Sequence, residues 1–153
     1  MISQTSEYAL RAMIHLAHHS GQARTTQQIA EATKVPSGYL SKVLQSLARG
    51  GLVNSQRGLG GGFTLARDEA GITILDVIKT VDSPLARIES CPLGLSSHTS
   101  LCALHRKLDE AIAWVENSFG STTIADLVGN ADIEPLCEAP PVDVTVTARQ
   151  RND

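Results

Sequence analysis

The sequence of 153 residues has only three cysteines and no long apolar run. No segment approaches the roughly 20 apolar residues of a membrane-spanning helix, and the N-terminus lacks the apolar stretch of a secretory signal peptide. An odd, small number of cysteines argues against a framework of structural disulfides. These absences predict a cytoplasmic protein that does not span a membrane. The length and a hydrophobic content of 42% suit one domain, or one domain with an appendage.

The sequence also lacks the common signatures of a catalytic site. The glycines at 58–62 could be mistaken for a phosphate-binding loop, but no helix pattern follows them and no Lys-Ser/Thr pair closes the loop. No Ser/His/Asp set or pair of carboxylates stands out. His15, His18 and His19 share the predicted first helix, 3–19, but no carboxylate or cysteine accompanies them locally, which disfavours a metal site. We therefore expect a binding protein rather than an enzyme.

Residues 25–49 contain a helix-turn-helix pattern. Residues 25–33 predict a short helix capped by threonine, and 34–38 carry the turn residues proline and glycine. In the second helix, 39–49, apolar residues recur at the spacing of one buried face: Leu40, Val43, Leu44 and Leu47. The opposite face is polar and has no carboxylate, as suits a helix that enters a DNA groove. The residues expected to contact DNA from these helices are Thr26, Ser37, Tyr39, Ser41, Lys42 and Gln45.

A glycine-rich hairpin is predicted directly after the second helix. Two short strands, 51–56 and 62–67, are joined by residues 57–61, and a further helix at 72–81 would complete a winged-helix core. Such a wing can lie along phosphates or place an arginine in the minor groove. The wing residues expected to contact DNA are Arg57, Gly58 and Gly60.

The distribution of charge supports this interpretation, although the net charge of the chain is −3. Residues 1–67 contain seven Lys/Arg and two Asp/Glu, a net +5, whereas residues 68–153 contain six and fourteen, a net −8. The positive charge therefore lies in the half with the helix-turn-helix, where attraction to phosphates requires it.

A long helix is predicted at 101–119, with Ser100 as its cap. Its apolar residues form a narrow, heptad-like seam: Leu101, Leu104, Leu108, Ile112, Val115 and Phe119. Such a seam predicts a homodimer through this helix, with packing on the first helix of the same chain as the alternative. A short helix follows at 123–129. The predicted fold is mainly α with a small β-hairpin: a winged helix-turn-helix domain plus a long dimerisation helix.

Together these motifs resemble the winged-helix bacterial regulators that include IscR, NsrR and CymR. The resemblance spans about residues 1–129 and rests on four segments: 7–12, 39–44, 57–66 and 123–127. It implies a homodimeric transcription regulator that binds double-stranded DNA. The organisation expected on this basis has four parts: a DNA-binding domain at 1–82, a sensor loop at 83–100, the dimerisation and short C-terminal helices at 101–129, and a flexible tail at 130–153.

Iron–sulfur members of this family carry three closely spaced cysteines in the loop before the dimerisation helix. Cys91 and Cys102 match the outer two positions, but residues 96–98 occupy the stretch of the middle cysteine. The resemblance thus implies a [2Fe–2S] cluster with non-cysteine ligands, since such a cluster takes four protein ligands.

Three other residues are candidates for the remaining ligand positions. Cys102 and His105 have the spacing of the last two ligands in IscR, and His98 could replace the missing cysteine. Glu7 matches a position at which a carboxylate is a ligand in some NsrR-like relatives, where it could come from the other subunit. The metal-ligand candidates are Cys91, Cys102, His105, His98 and Glu7.

Alternatives to the cluster stay open at this point. The two cysteines could be buried residues of a regulator without a cluster, or a thiol pair that closes on oxidation. The chain could also be a winged-helix module that binds protein. As a regulator, two copies would bind the half-sites of a palindromic operator, about one helical turn apart. The signal could be nitric oxide, iron–sulfur supply or redox state.

Overall fold

Eight regular elements follow one another in the computed structural model, which describes residues 2–83, 85–91, 94, 100–129 and 136. They are α1 (Gln4–His18), α2 (Thr26–Thr33), α3 (Ser37–Arg49), β1 (Val53–Gln56), β2 (Gly62–Leu65), α4 (Ile74–Val81), α5 (Ala103–Ser121) and α6 (Ile124–Val128). A short 3-10 turn, Glu69–Gly71, precedes α4. The predicted tail, apart from Leu136, and His98 lie outside the described residues.

Side-chain caps explain where most helices begin. The hydroxyl of Ser3 accepts a hydrogen bond from the Ser6 amide at the start of α1. Thr25, Thr73 and Thr123 each form a reciprocal capping box with the residue three positions later. The predicted cap of the long helix was wrong, because Cys102 rather than Ser100 occupies the N-cap position, with extended backbone and no side-chain cap. The helix therefore begins two residues later than predicted.

The hydrophobic core surrounds α1, which packs against α2, α3, α4 and α6. The four leucine and valine residues predicted to form the inner face of α3 are all buried. They meet a set of fully buried side chains from the other elements: Met13, Leu16, Ile29, Leu52, Ile72 and Ile124. This core fixes α3 on the molecule with its polar face outward.

The wing is a two-stranded antiparallel hairpin in which Val53 pairs with Leu65 and Gln56 with Gly62. Its second strand is also bound to the chain before α2, because Arg24 and Phe63 exchange backbone hydrogen bonds of 3.0 and 2.8 Å. Phe63 packs against the core. The base of the wing is therefore attached to the helix-turn-helix at two places.

The long helix α5 lies apart from the core and contacts α4. It has no buried residue, and Leu104, Leu108 and Trp114 are exposed. The alternative prediction, packing along α1, is not what the described residues show, since the main neighbours of α1 are elsewhere. None of the described helices has the length and apolar character needed to cross a membrane.

The helix α6 ties the end of α5 to α4. The Ile124 amide donates to the Ile72 carbonyl at 2.8 Å, and the Ile74 amide donates to the Thr122 carbonyl at 3.0 Å. These bonds form a bridge between Thr73 and Thr123, the caps of the two helices. The end of α5 is therefore joined to the start of α4 by backbone hydrogen bonds.

Candidate DNA interface and sensing site

The outer face of α3 is neutral or basic. Ser37, Lys42 and Gln45 are exposed, and the Ser41 hydroxyl donates to the Ser37 carbonyl at 3.0 Å. The helix contains no Asp or Glu. A phosphate backbone could approach this face without like-charge repulsion. Thr26, the first residue of α2, is half-buried.

Tyr39 has a partner that the sequence pattern does not show. Its hydroxyl lies 2.5 Å from the Thr5 hydroxyl, and its ring meets the Tyr8 ring edge-to-face with centroids 5.6 Å apart. The side chain is still 40% exposed. Tyr39 therefore joins the start of α3 to the start of α1, in addition to any DNA contact.

The turn between α2 and α3 is made at Lys34, whose φ of 57° is left-handed. The Arg11 guanidinium donates to the Thr33 carbonyl at 3.3 Å, at the C-terminal end of α2, where a cation is favourable. Arg11 also forms an ion pair with Glu7. The carboxylate predicted as a cluster ligand is thus bound to an arginine in this protomer.

The tip of the wing depends on glycine. Gly58 and Gly60 have φ values of 95° and 74°, which other residues rarely adopt. A Cβ on Gly61 would lie 2.5 Å from the Gln56 carbonyl oxygen. Arg57 is exposed, as a DNA contact requires. Leu59 is also fully exposed, but the sequence analysis did not predict it as a DNA contact. The feature that could have identified it is an apolar residue placed between two glycines of the wing.

Three of the five predicted ligands meet beside the start of α5. The Nδ1 atom of His105 lies 3.8 Å from the sulfur of Cys91 and 3.2 Å from that of Cys102. Cys91 is buried and Cys102 is exposed. The N-cap position of Cys102 places it beside His105, one turn into the helix. This group of three side chains is therefore open to solvent on the side of Cys102.

An ion pair that sequence reasoning missed holds the Cys91 segment, defined as the described residues 82–83 and 85–91 after α4, against α5. Arg87 donates from Nε and Nη2 to the two carboxylate oxygens of Asp109, at 2.7 and 2.6 Å. The same carboxylate accepts from the Ile88 amide at 2.9 Å. The Arg87 hydrogen bonds, followed by the Ile88 bond, lower the pKa of Asp109 to about 2. Asp109 lies one turn after His105 on α5. This ion pair, called the Arg87–Asp109 clamp below, therefore holds residues shortly before Cys91 against the helix that carries His105.

The donor set fits an iron–sulfur cluster in kind. Thiolate and imidazole are both ligands of [2Fe–2S] clusters, and the described residues supply three of the four that are needed. No group of three or more His, Cys, Asp or Glu among the described residues is spaced around a common metal position. The imidazole instead contacts the sulfurs directly. Binding of a cluster would require these three side chains to separate.

The first residues of the Cys91 segment are connected to α1. The Ser6 hydroxyl donates to Asp82 at 3.2 Å. Hydrogen bonds from Ser3, the Ser83 amide and Ser6, in that order of size, lower the pKa of Asp82. The segment is thus anchored at the N-terminus of α1, close in sequence to Thr5, the partner of Tyr39.

Two histidines pack against each other at the C-terminal end of α1, where His15 lies in the last turn and His19 is the C-cap residue. The rings of His15 and His19 are 4.4 Å apart, and His19 Nδ1 lies 2.8 Å from the His15 carbonyl oxygen. Burial, and then the neighbouring His19, Arg24 and His18, lower the pKa of His15 to about 4. Its Nε2 atom is buried without a hydrogen-bond partner among the described residues. His15 is therefore neutral in the folded protein near neutral pH.

Comparison with known proteins agrees with this geometry. The family model Rrf2, described as an iron-dependent transcriptional regulator, matches residues 2–130. A protein of Mycobacterium tuberculosis named as an HTH-type transcriptional regulator is 36% identical over 135 residues, 85% of this chain and 82% of that protein. One from Aquifex aeolicus is 33% identical over 132 residues, 84% and 91% of the two chains.

Solved structures give the same result. CymR, the global cysteine regulator of B. subtilis, matches with a TM-score of 0.74 and 28% identity, over 84% of this chain and 96% of that one. IscR of T. potens matches with a TM-score of 0.71 and 27% identity, over 86% and 88%. An oxidised form of Staphylococcus aureus CymR matches with a TM-score of 0.70 and 26% identity, over 87% and 99%. These comparisons confirm the predicted resemblance and the winged-helix fold. The relatives and neighbours are transcription regulators, not enzymes.

Proposed function

Because the chain belongs to the Rrf2 family of DNA-binding transcription regulators, we propose that it is a homodimeric regulator that senses redox state, nitric oxide or iron–sulfur supply at Cys91, Cys102 and His105. The observation that carries this proposal is the convergence of two sulfurs on one imidazole nitrogen. The description of the family as iron-dependent supports iron as the metal.

Cys91, Cys102 and His105 would hold a [2Fe–2S] cluster, with a fourth ligand from His98 or from Glu7 of a second copy. Such a cluster would supply a centre that responds to oxidants, nitric oxide and iron supply. The half-exposed position of the three donors suits a sensor, because a small molecule could approach from the side of Cys102. Glu7 could serve only after it leaves Arg11, so loss of that ion pair would accompany its use as a ligand.

Two sets of contacts would connect the sensing site to the DNA-binding surface. The Arg87–Asp109 clamp links the Cys91 segment to α5, whose end is bonded to α4. Asp82 links the start of that segment to α1, and Thr5 on α1 is bonded to Tyr39 on α3. A change at the cysteines alters DNA affinity only as far as it favours one arrangement of these contacts over another.

On DNA, each subunit would place α3 in a major groove and the wing on the adjacent minor groove or backbone. The acid-free outer face of α3 and the exposed Arg57 support this placement. Within this arrangement Lys42 and Gln45 are two long exposed side chains of α3 able to reach phosphates or base edges. Two such subunits would bind a palindromic operator with half-sites about one helical turn apart.

The dimer would form through α5. The helix has no buried residue, and its apolar seam borders a groove of about 390 Å³ lined by Ile2, Leu85, Ala111, Ile112, Val115 and Phe119. A seam of this kind is the expected surface for a second copy of the same helix. The groove extends from the seam to Leu85, so dimer formation would also cover Leu85 in the Cys91 segment.

A thiol pair is the second candidate for the sensing chemistry. Both sulfurs contact the same nitrogen, so they lie no more than about 7 Å apart, and a disulfide would require them to approach to about 2 Å. A peroxide would take two electrons from the two thiols and release water. That a relative, staphylococcal CymR, has been crystallised in an oxidised form favours retaining this candidate.

The test is an ultraviolet–visible spectrum, with iron and sulfide analysis, of the full chain purified without air. We expect visible absorbance and equal amounts of iron and sulfide. Cys91→Ser, Cys102→Ser and His105→Gln should each lower the iron content. Cys137→Ser, which changes the third cysteine of the sequence, one outside the described residues and not among the predicted ligands, is the matched control and should retain the iron.

A colourless, iron-free protein would contradict the cluster. Peroxide treatment then decides the second candidate: loss of two reactive thiols, reversed by a reductant and absent in Cys102→Ser, would establish the thiol pair. Unchanged thiols would leave a regulator without redox chemistry at this site.

A further inference from the structure

The tip of the wing presents a single large apolar side chain to solvent. Leu59 has a relative exposure of 107%, the highest among the exposed large hydrophobic residues of the described chain. Single exposed leucines are common on protein surfaces, so exposure alone indicates nothing. What sets Leu59 apart is its position, two residues from Arg57 at the tip of the hairpin that follows α3.

The loop that carries Leu59 has a defined shape despite its three glycines. The Gly61 amide donates to the Gly58 carbonyl at 2.9 Å. A Cβ on Gly62, the first residue of β2, would lie 2.5 Å from the Arg24 carbonyl oxygen, so the strand that follows the loop packs closely on the segment before α2. Leu59 is therefore held on a tight turn, and less entropy is lost when the tip binds a partner.

Leu59 does not belong to the apolar surface of the proposed dimer. That surface lies on α5, whereas Leu59 lies between two glycines with left-handed backbone. Its nearest charged neighbour in sequence is Arg57, and the surrounding half of the chain carries a net charge of +5. A polyanionic partner would be drawn to this tip by charge, while Leu59 itself adds none.

We infer that Leu59 enters the DNA minor groove beside Arg57 and makes an apolar contact with deoxyribose and the edges of the bases. This inference rests on the proposed placement of the wing on DNA. Apolar side chains are used by proteins that bind the minor groove, where they pack against or between base pairs. The partner is the minor groove of duplex DNA. Arg57 and Leu59 are two residues apart on the tip of the wing, so both can reach the same groove.

Two measurable properties follow. An apolar contact releases no counterions, so its loss weakens binding equally at every salt concentration, whereas loss of Arg57 lowers the salt dependence. The floor of the minor groove differs between base pairs only by the exocyclic amino group of guanine. Binding through Leu59 should therefore be tighter at base pairs whose minor-groove edge lacks this polar amino group.

The experiment uses the full chain and a duplex that the wild-type protein selects from a random DNA library, with binding measured by fluorescence anisotropy at several salt concentrations. Leu59→Ser should weaken binding about tenfold at each salt concentration, with an unchanged salt slope. Leu59→Met, which keeps the apolar bulk, should restore it. Arg57→Gln is the comparison and should lower the slope.

A second arm exchanges guanine for inosine at the base pairs that the wing protects in a footprint. The two bases are identical in the major groove, and inosine lacks the minor-groove amino group. Wild type should bind the inosine duplex more tightly, and Leu59→Ser should discriminate less.

The outcomes separate this inference from the proposed function. If Arg57→Gln weakens binding and Leu59→Ser does not, the inference is overturned and the wing remains on DNA. If neither variant weakens binding, the proposed placement of the wing is wrong as well. Equal melting temperatures of all variants would show that folding is not the cause, as expected for a fully exposed residue.

Discussion

Lys42 carries the positive charge at the centre of the exposed face of α3. If its ammonium contacts a phosphate, Lys42→Ala should weaken DNA binding for all sequences and lower the slope of log affinity against log salt by about 1 for each subunit. The measurement is a salt titration with one duplex. Lys79→Ala removes the same charge from α4, where it pairs with Glu116, and should leave the slope unchanged. Equal slopes for wild type and Lys42→Ala would exclude a phosphate contact at Lys42.

His15 gives the stability of the protein a dependence on pH. Its pKa is about 4 in the folded protein against 6.5 for the free side chain, so the unfolded chain binds the extra proton between these values. The contribution is present above pH 6.5 and is lost as the pH falls towards 4. Because the residue is partly exposed, we expect a loss of only about 1 kcal/mol.

The measurement is thermal unfolding of wild type and His15→Gln across this range. Wild type should lose more stability than the variant as the pH falls, and His18→Gln, which removes only the smallest of the contributions that lower the pKa of His15, should change the profile little. Parallel pH profiles for wild type and His15→Gln would show that His15 does not titrate in this way.

At the scale of single elements, the sequence predicted what local patterns determine. The spacing of Leu40, Val43 and Leu44 identified the buried face of α3, and a threonine at the helix start identified the cap of α2. These features depend on residues within one or two turns of each other. The glycines of the wing likewise allowed the tight loop to be predicted, and the positive φ values of Gly58 and Gly60 show why glycine is needed there.

Features that depend on distant residues were not predictable in the same way. The Arg87–Asp109 clamp joins positions 22 apart, and no periodicity marks either residue. The bond between Thr5 and Tyr39 spans 34 positions. The grouping of Cys91, Cys102 and His105 was expected from the family resemblance, whereas their spacing alone would also suit unrelated buried residues. The start of α5 was misplaced because Cys102 caps the helix by backbone conformation only.

At the scale of the whole molecule, the protein has one basic half, which we propose binds DNA, and one acidic half in which α5 has an exposed apolar seam. The exposed Leu104 and Leu108 on that helix would be costly in a monomer but favourable between two copies. A dimer would also set the distance between the two α3 helices. Affinity for a palindrome is then a property of the pair rather than of either chain.

Leu108→Glu places a charge in the seam of α5 and should therefore separate the dimer. Lys107→Glu introduces the same side chain at the next position, which is exposed beside Glu110, and is the matched control. Sedimentation should show a monomer only for the first variant.

DNA binding then shows whether the dimer matters for function. Joining two subunits makes binding of the second half-site intramolecular, so Leu108→Glu should lose at least about 100-fold in affinity for a palindromic duplex. Its affinity for a single half-site should be unchanged, because the contacts of α3 and the wing remain. A variant that stays dimeric would show that α5 is not the interface. A monomer that binds the palindrome as tightly as wild type would mean that each chain binds DNA independently.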